Sequence, residues 1–308
     1  MILQVAYCTD EKYAKIMMVS IVSLCETNKE FDDIVFYCLE KGLSLETKSE
    51  IECVVNHYNR KIQFLDIRNI CEKKRFWKPS RDTMFSRVLI PELIDKDKVL
   101  YLDCDLIVLD SLKELWNINV DGYANLVVQD TSRKNARLET GNVNIRYFNS
   151  GVMVINCVEW RNKDYFSQMR EFEKKYENEA IFPDQRPLNA ITLCDSKIID
   201  PKYNFTPELY RYTYKQLLLL MDTKVFYEQQ QVEDARKEPV IVHFSGRSIE
   251  RPWFKNCRNQ YKELYRTYMK KFDFLDFPLW EDSKLNSIKW EIKYRLPFFI
   301  QLLGSRLR

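Results

Sequence analysis

The feature that most restricts the fold is a rhythm in the first 67 residues, where short apolar runs alternate with stretches of helical periodicity. Residues 2–7 suit a buried strand, and Tyr13, Ile16, Met17, Ile21 and Leu24 follow at helical spacing. Residues 34–39 read as a second strand, Ile51, Val54, Val55 and Tyr58 as a second helix face, and residues 62–67 as a third strand. A β-α-β-α-β succession demands right-handed crossovers. The expected class is therefore α/β, with a mostly parallel central sheet and helices on both faces.

Residues 68–82, with Trp77 and Pro79, break the rhythm and read as a loop over the sheet, followed by a helix-like stretch at 83–93. Further strands are expected at 99–102, 125–129, 152–156 and 240–244, with helices near 160–177, 184–193 and 255–270. Neither an internal repeat nor a low-complexity linker interrupts the 308 residues, which favours one domain. Only six glycines occur and none are two apart, so a G-x-G dinucleotide loop is excluded, as is the P-loop pattern. The nine cysteines never stand as C-x-x-C, and the N-terminus lacks a basic segment and apolar core like those of a signal peptide. The expectation is free thiols in a reducing cytosol. No uncharged apolar stretch is long enough to span a bilayer. A formal charge of +3 is too small for a nucleic-acid-binding surface. That charge is uneven, however: residues 284–308 hold six basic side chains against Glu291 alone, so the remainder is mildly acidic.

In open α/β sheets ligands bind beyond the carboxyl ends of the strands, and Asp10, Asp103, Asp105 and His243 all fall there. Asp103 and Asp105 flank Cys104, and in extended backbone residues i and i+2 point to the same side. Two converging carboxylates repel unless a proton or a cation joins them. D-x-D is also common in ordinary loops. His243, after the apolar run 240–242, would complete an oxygen, oxygen, nitrogen set suited to Mn²⁺, with Mg²⁺ as the alternative. His57, inside a helical pattern beside Tyr58, reads as a core histidine.

At this point the chain resembles the retaining glycosyltransferases of family 8, over most of its first 255 residues. The segment 98–116, from Lys98 through Asp103, Cys104, Asp105 and Asp110 to Trp116, looks like that family's metal-binding signature. By the same resemblance Thr9, Asp10, Lys12 and Tyr13 match the first nucleotide loop, and Asp10 takes the place of the acid that contacts uracil. Cys104 lies within the nucleotide-contact motif. Arg87 matches an arginine that approaches donor sugar and diphosphate. Asn149, in Phe148-Asn149-Ser150-Gly151-Val152, matches an asparagine that faces the donor sugar. Asp184 and Gln185 match the start of a D-Q-D motif, in which the acid binds donor hydroxyls and the amide lies near the anomeric carbon; the third position here is Arg186. His243 with Gly246 and Arg251 is similar to the H-x-x-G…K-P-W element, with Arg251 in place of lysine and Arg247 as a second candidate partner for phosphate.

The resemblance implies a GT-A fold with a Rossmann-like nucleotide-binding region at 1–255; beyond it, a C-terminal helix packing on that domain is expected at 256–283 and, from the charge and spacing of its residues, a basic amphipathic tail at 284–308. It implies metal-dependent transfer of galactose or glucose from a UDP-sugar, with retention, to a hydroxyl of a glycan or glycolipid. Synthesis of lipopolysaccharide or another cell-surface polysaccharide is the expected setting. Arg186 motivates an alternative, a sugar-nucleotide-binding protein of the same fold with impaired catalysis. In the tail, Leu285, Ile288 and Ile292 recur at helical spacing among Lys289, Lys293, Trp290 and Arg295. Two readings of it stand level: a cytoplasmic protein held peripherally on the anionic inner face of the membrane, or a helix docked on the protein body. Nucleic-acid binding by the tail explains none of residues 10–253 and ranks last.

Overall fold

The computed structural model describes residues 1–68, 86–131, 145–176, 185–221 and 225–306. The alternating opening folds as read: β1 (Ile2–Thr9), α1 (Ala14–Thr27), β2 (Asp33–Glu40), α2 (Leu45–His57) and β3 (Lys61–Asp66). Then come a 3-10 turn at Ser86–Leu89, α3 (Ile90–Leu93), β4 (Lys98–Leu102), β5 (Leu106–Val108), α4 (Lys113–Asn117), β6 (Asn125–Gln129) and β7 (Phe148–Asn156). The loop expected at 68–82 lies almost wholly outside the described residues.

Seven strands form one sheet in the order β3-β2-β1-β4-β7-β6-β8, where β8 is Ser196–Ile198. Neighbours are parallel except around β7, which runs antiparallel to both β4 and β6. A second, two-stranded sheet pairs β5 antiparallel with β9 (Ile241–His243), bringing Leu106 opposite His243.

Both faces of the large sheet are covered. Along β1, Leu3, Val5 and Tyr7 join one apolar cluster while Ala6 and Cys8 join the other, the period-2 alternation of a strand buried on both sides. Helix α1 is buried nearly all round because it lies against β5 and α2 and under α11 (Lys262–Met269).

The stretch read as one helix near 160–177 is two, α5 (Cys157–Asn162) and α6 (Tyr165–Lys175). Asp164 separates them in a left-handed conformation, φ 49°, and caps α6 through Ser167 N. The helix read at 255–270 shrinks to α11, since Asn259 binds the Glu250 carbonyl and holds the preceding segment in turns. Helices α7 (Gln185–Thr192), α8 (Pro207–Arg211), α9 (Tyr214–Met221) and α10 (Gln229–Lys237) fill the region between β7 and β9. The tail forms α12 (Lys284–Arg295) and α13 (Phe298–Arg306). His57 corrects the sequence reading: it is exposed at the last position of α2, its ring against Tyr58 and Phe272, and not in the core. All cysteines among the described residues are free thiols.

Candidate active site

Because β7 runs against its neighbours, its first residues reach the edge where β1, β4 and β6 end. Asp103 leaves β4 with its amide bonded to the Gly151 carbonyl at 2.8 Å, and Asp105 precedes β5. Antiparallel pairing with β9 then sets His243 against them. Its Nε2 lies 3.2 Å from Asp105 Oδ1 and 3.8 Å from Asp103 Oδ2. One ligand atom from each of the three residues falls within 4.8 Å of the others. Glycine is required beside them: a Cβ on Gly151 would stand 2.3 Å from His243 Cε1 and 2.8 Å from Asp103 Oδ2.

Hydrogen bonding fixes which imidazole nitrogen faces the acids. The Gly151 amide donates to Asn149 Oδ1 at 3.0 Å, so that oxygen is an acceptor. Asn204 must therefore present its amide NH₂ to the same oxygen, at 2.8 Å, and turn Oδ1 toward His243 Nδ1, at 2.9 Å. The proton of the neutral ring sits on Nδ1, and Nε2 aims a lone pair at two carboxylates. Three electron-rich atoms brought together, His243 buried and both aspartates partly exposed, suit a cation. Without one, burial favours neutral His243, but Asp105 and then Asp103 outweigh it and raise the imidazole pKa. For Asp105 burial is again the largest influence and pushes upward, yet His243 and Arg251 together hold the carboxyl below its ordinary range.

Two arginines border this cluster. Buried Arg87 lies over the Tyr101 ring, donates to the Ser150 carbonyl at 2.6 Å and pairs with Asp103 at 3.1 Å. Arg251 stands 4.0 Å from Asp105 and donates to the Tyr13 hydroxyl at 3.2 Å, while its buried Nε has no partner among the described residues. Arg247 instead lies over Trp290 of α12, and Gly246 packs on Glu250. Of the two candidates for phosphate, Arg251 is the one beside the acids. Asp10 accepts from the Tyr13 amide at the start of α1, and Lys12 lies over Trp280. Thr9 and Cys104 are turned inward. Thr9 is fully buried, and the Cys104 thiol donates to the Cys8 carbonyl, burial raising its pKa far above the usual thiol value. Any ligand contact at Cys104 would have to come from its backbone.

Gln185, the first residue of α7, is held at both ends. Its Oε1 accepts from Ser150 N at 3.1 Å and its Nε2 donates to Asp130 Oδ2 at 2.6 Å. Asn149 keeps its Nδ2 free of hydrogen bonds among the described residues. Asp184 lies outside the described residues. Arg186 stacks on Phe172 of α6 and on Tyr176 just past its end. Sequence reasoning missed Asp130 and Asn204. Asp130 carries the strand-end signal that singled out the other acids, whereas Asn204 has no local signal at all.

This mixed α/β sheet, with an acid, acid, imidazole cluster at its carboxyl edge bordered by two arginines, has the GT-A fold. The chain belongs to glycosyl transferase family 8, whose model matches residues 4–257. It is similar to General stress protein A of Bacillus subtilis, 28% identical over 276 residues, which are 87% of this chain and 93% of the relative. It is also similar to the lipopolysaccharide 1,2-glucosyltransferase of Escherichia coli, 25% identical across 95% of this chain and 85% of the relative. Among solved structures, the galactosyltransferase LgtC, in complex with donor and acceptor sugar analogs, superposes with a TM-score of 0.73 at 23% identity, covering 88% of this chain and 96% of LgtC.

Proposed function

We propose that the chain transfers galactose or glucose from a UDP-sugar, with retention of configuration, to a hydroxyl of a glycan or glycolipid in the synthesis of lipopolysaccharide or another cell-surface polysaccharide. The observation that carries this reading is the convergence of His243 Nε2, oriented through Asn204, with the carboxylates of Asp103 and Asp105. A divalent cation held by these three residues, Mn²⁺ or Mg²⁺, would supply Lewis-acid stabilisation of charge on the departing diphosphate. Arg251, poised beside Asp105 with an unpaired Nε, adds a guanidinium suited to phosphate oxygens. Arg87 fixes Asp103 and joins it to β7 through Ser150. In this reading Asp10, Lys12 and Tyr13 receive the uridine, while Asn149, Asp184 and Gln185 face the donor sugar.

Retention follows in this proposal from front-face attack. Gln185 offers an amide, not a carboxylate, and its hydrogen bonds to Ser150 and Asp130 hold it in place. The impaired-binder alternative would show UDP binding without release of UDP from any donor; the stacking of Arg186 on Phe172 and the carboxylate that Asp130 supplies to Gln185 speak for turnover. The membrane reading of the tail rests on Leu285, Ile288 and Ile292, exposed beside Lys289 on α12. Sedimentation with anionic liposomes, with and without residues 284–308, tests that attachment, and equal sedimentation would reject it. The test of the chemistry is a screen of UDP-sugars for Mn²⁺-dependent release of UDP. One UDP-hexose should be turned over, and Asp103→Ala with Asp105→Ala should abolish this while the fold survives. Undiminished turnover in the double variant would sink the proposal.

A further inference from the structure

Trp280 lies beyond residues 4–257, the span that the family model matches, yet its ring touches the first nucleotide loop. The Lys12 ammonium stands 5.1 Å from the centre of that ring, and the Tyr13 ring meets it edge-on at 6.0 Å and 82°. Lys12 is exposed and makes no ion pair among the described residues, so the indole face is what orders it. Trp280 is itself held from the other side. Its amide donates to the Trp253 carbonyl at 2.8 Å, the Lys255 amide donates to its carbonyl at 3.0 Å, and its ring packs edge-on against Trp253 and Phe254. Arg266 of α11 donates to the Pro252 and Phe254 carbonyls and steadies that segment in turn. Lys15 of α1 donates to the Phe274 carbonyl at 2.8 Å, which ties the run leading to Trp280 to the first turn of the helix.

The segment so anchored carries Arg251, which donates to the Tyr13 hydroxyl at 3.2 Å and stands 4.0 Å from Asp105. Trp280 therefore joins two parts of the site that come from distant stretches of the chain, residues 10–13 and residues 251–255. The first is assigned above to uridine and the second to phosphate. A nucleoside diphosphate spans both, so it binds more tightly when their spacing is set before it arrives. A lysine left to itself spreads over many rotamers and loses that freedom on binding. Lys12 has room to do so, because a cavity of about 260 Å³, lined also by Glu11, Thr47, Phe277 and Pro278, opens beside it and Trp280. An indole face that fixes the ammonium in one place lowers the ordering cost.

We propose that Trp280 is a positioning residue for the donor nucleotide, acting through Lys12 and Tyr13, and that the segment 272–280 thereby sets the affinity of the site. The proposal rests on the glycosyltransferase reading. Two replacements of Trp280 separate this role from packing. Trp280→Phe keeps an aromatic face for Lys12, whereas Trp280→Leu removes the face but keeps an apolar side chain against Trp253 and Phe254. Isothermal titration of the full chain with UDP and Mn²⁺ should give Trp280→Phe an affinity within about threefold of wild type and Trp280→Leu one about tenfold weaker, the size of a cation–π contact with an aromatic pair. KM for the UDP-sugar should divide the two variants in the same way, with kcat unchanged in both. Thermal melting checks that each is folded, and Trp280→Met replaces Trp280→Leu if it is not. Equal affinity in the two variants, tighter binding by Trp280→Leu, or a loss confined to kcat would overturn the proposal while leaving the parent reading intact. Wild-type protein that binds no UDP would overturn the glycosyltransferase reading, and the proposal with it.

Discussion

Asn204 offers the sharpest test of how the cation site is built. It is fully buried, and its two amide atoms join Asn149 to His243. Asn204→Ala leaves the Nδ1 proton of His243 without an acceptor in a place water does not reach. The ring then gains nothing from keeping its proton on Nδ1, and the tautomer with the proton on Nε2 cannot ligate a cation. Removing an outer partner of a ligating histidine costs about 10–100-fold in metal affinity, or about 1.4–2.7 kcal/mol. The half-saturating Mn²⁺ concentration for UDP-sugar hydrolysis should rise by that factor, with about 1–3 kcal/mol lost from folding stability through the orphaned groups. Asn204→Asp separates the two effects. It still accepts from Nδ1, so Mn²⁺ half-saturation should stay within a few-fold of wild type, yet it sets an acid against Asn149 Oδ1, 2.8 Å away, and lowers stability. Isothermal titration with Mn²⁺ and thermal melting measure the two quantities. A folded Asn204→Ala protein with unchanged Mn²⁺ half-saturation would refute the tautomer argument.

Gly151→Ala should be far more damaging than most glycine replacements, because the added Cβ collides with His243 and Asp103; overpacking of about 1–3 kcal/mol and loss of Mn²⁺ dependence are expected, read by melting and UDP release. Asp130→Asn distinguishes routes to retention. If Asp130 only positions Gln185, kcat should fall about tenfold with Mn²⁺ half-saturation unchanged; a fall of about a thousandfold or more would mark it as a nucleophile and defeat front-face attack. Glu208→Gln should stabilise the protein near neutral pH. Burial, then Asp130, raises the folded-state pKa of Glu208, so ionising it costs stability as pH climbs past the unfolded value through the folded one. The gain in Tm over wild type should shrink toward zero as pH falls below the unfolded carboxyl value, and a pH-independent difference would contradict this origin.

Much of the site was legible because strand ends and period-2 spacing are local properties. Asp103 and Asp105 share a side for that reason, and His243 ends an apolar run. The same rule applied to residues 125–129 points to Asp130, whose strand end is as legible as theirs. The direction of a strand is different. An apolar run reads the same in either sense, and only pairing with β4 and β6 shows that β7 is reversed. Were it parallel, Asn149 and Gly151 would sit at the far edge, away from the acids. Asn204 follows a 3-10 turn and meets residues 39 positions ahead and 55 behind, a pairing that tertiary folding alone creates.

The tail shows why two readings that competed in the sequence need not compete in three dimensions. A helix of 3.6 residues per turn separates its faces, and in α12 both are apolar or aromatic. Trp290 and Tyr294, four apart, lie against Arg247 and Arg211 of the body. Leu285, Ile288 and Ile292 follow a second row and remain more than half exposed, at 82%, 58% and 56%. Docking therefore leaves the second row available, and the low net amphipathicity of the helix follows from having two such faces. Substitutions then divide by face: Leu285→Ser with Ile292→Ser should reduce liposome sedimentation and leave the melting temperature near that of wild type, whereas Tyr294→Ala should lower the melting temperature and leave sedimentation of the folded protein unchanged. Loss of both properties in either variant would mean that the tail folds and docks as one unit with no division of labour.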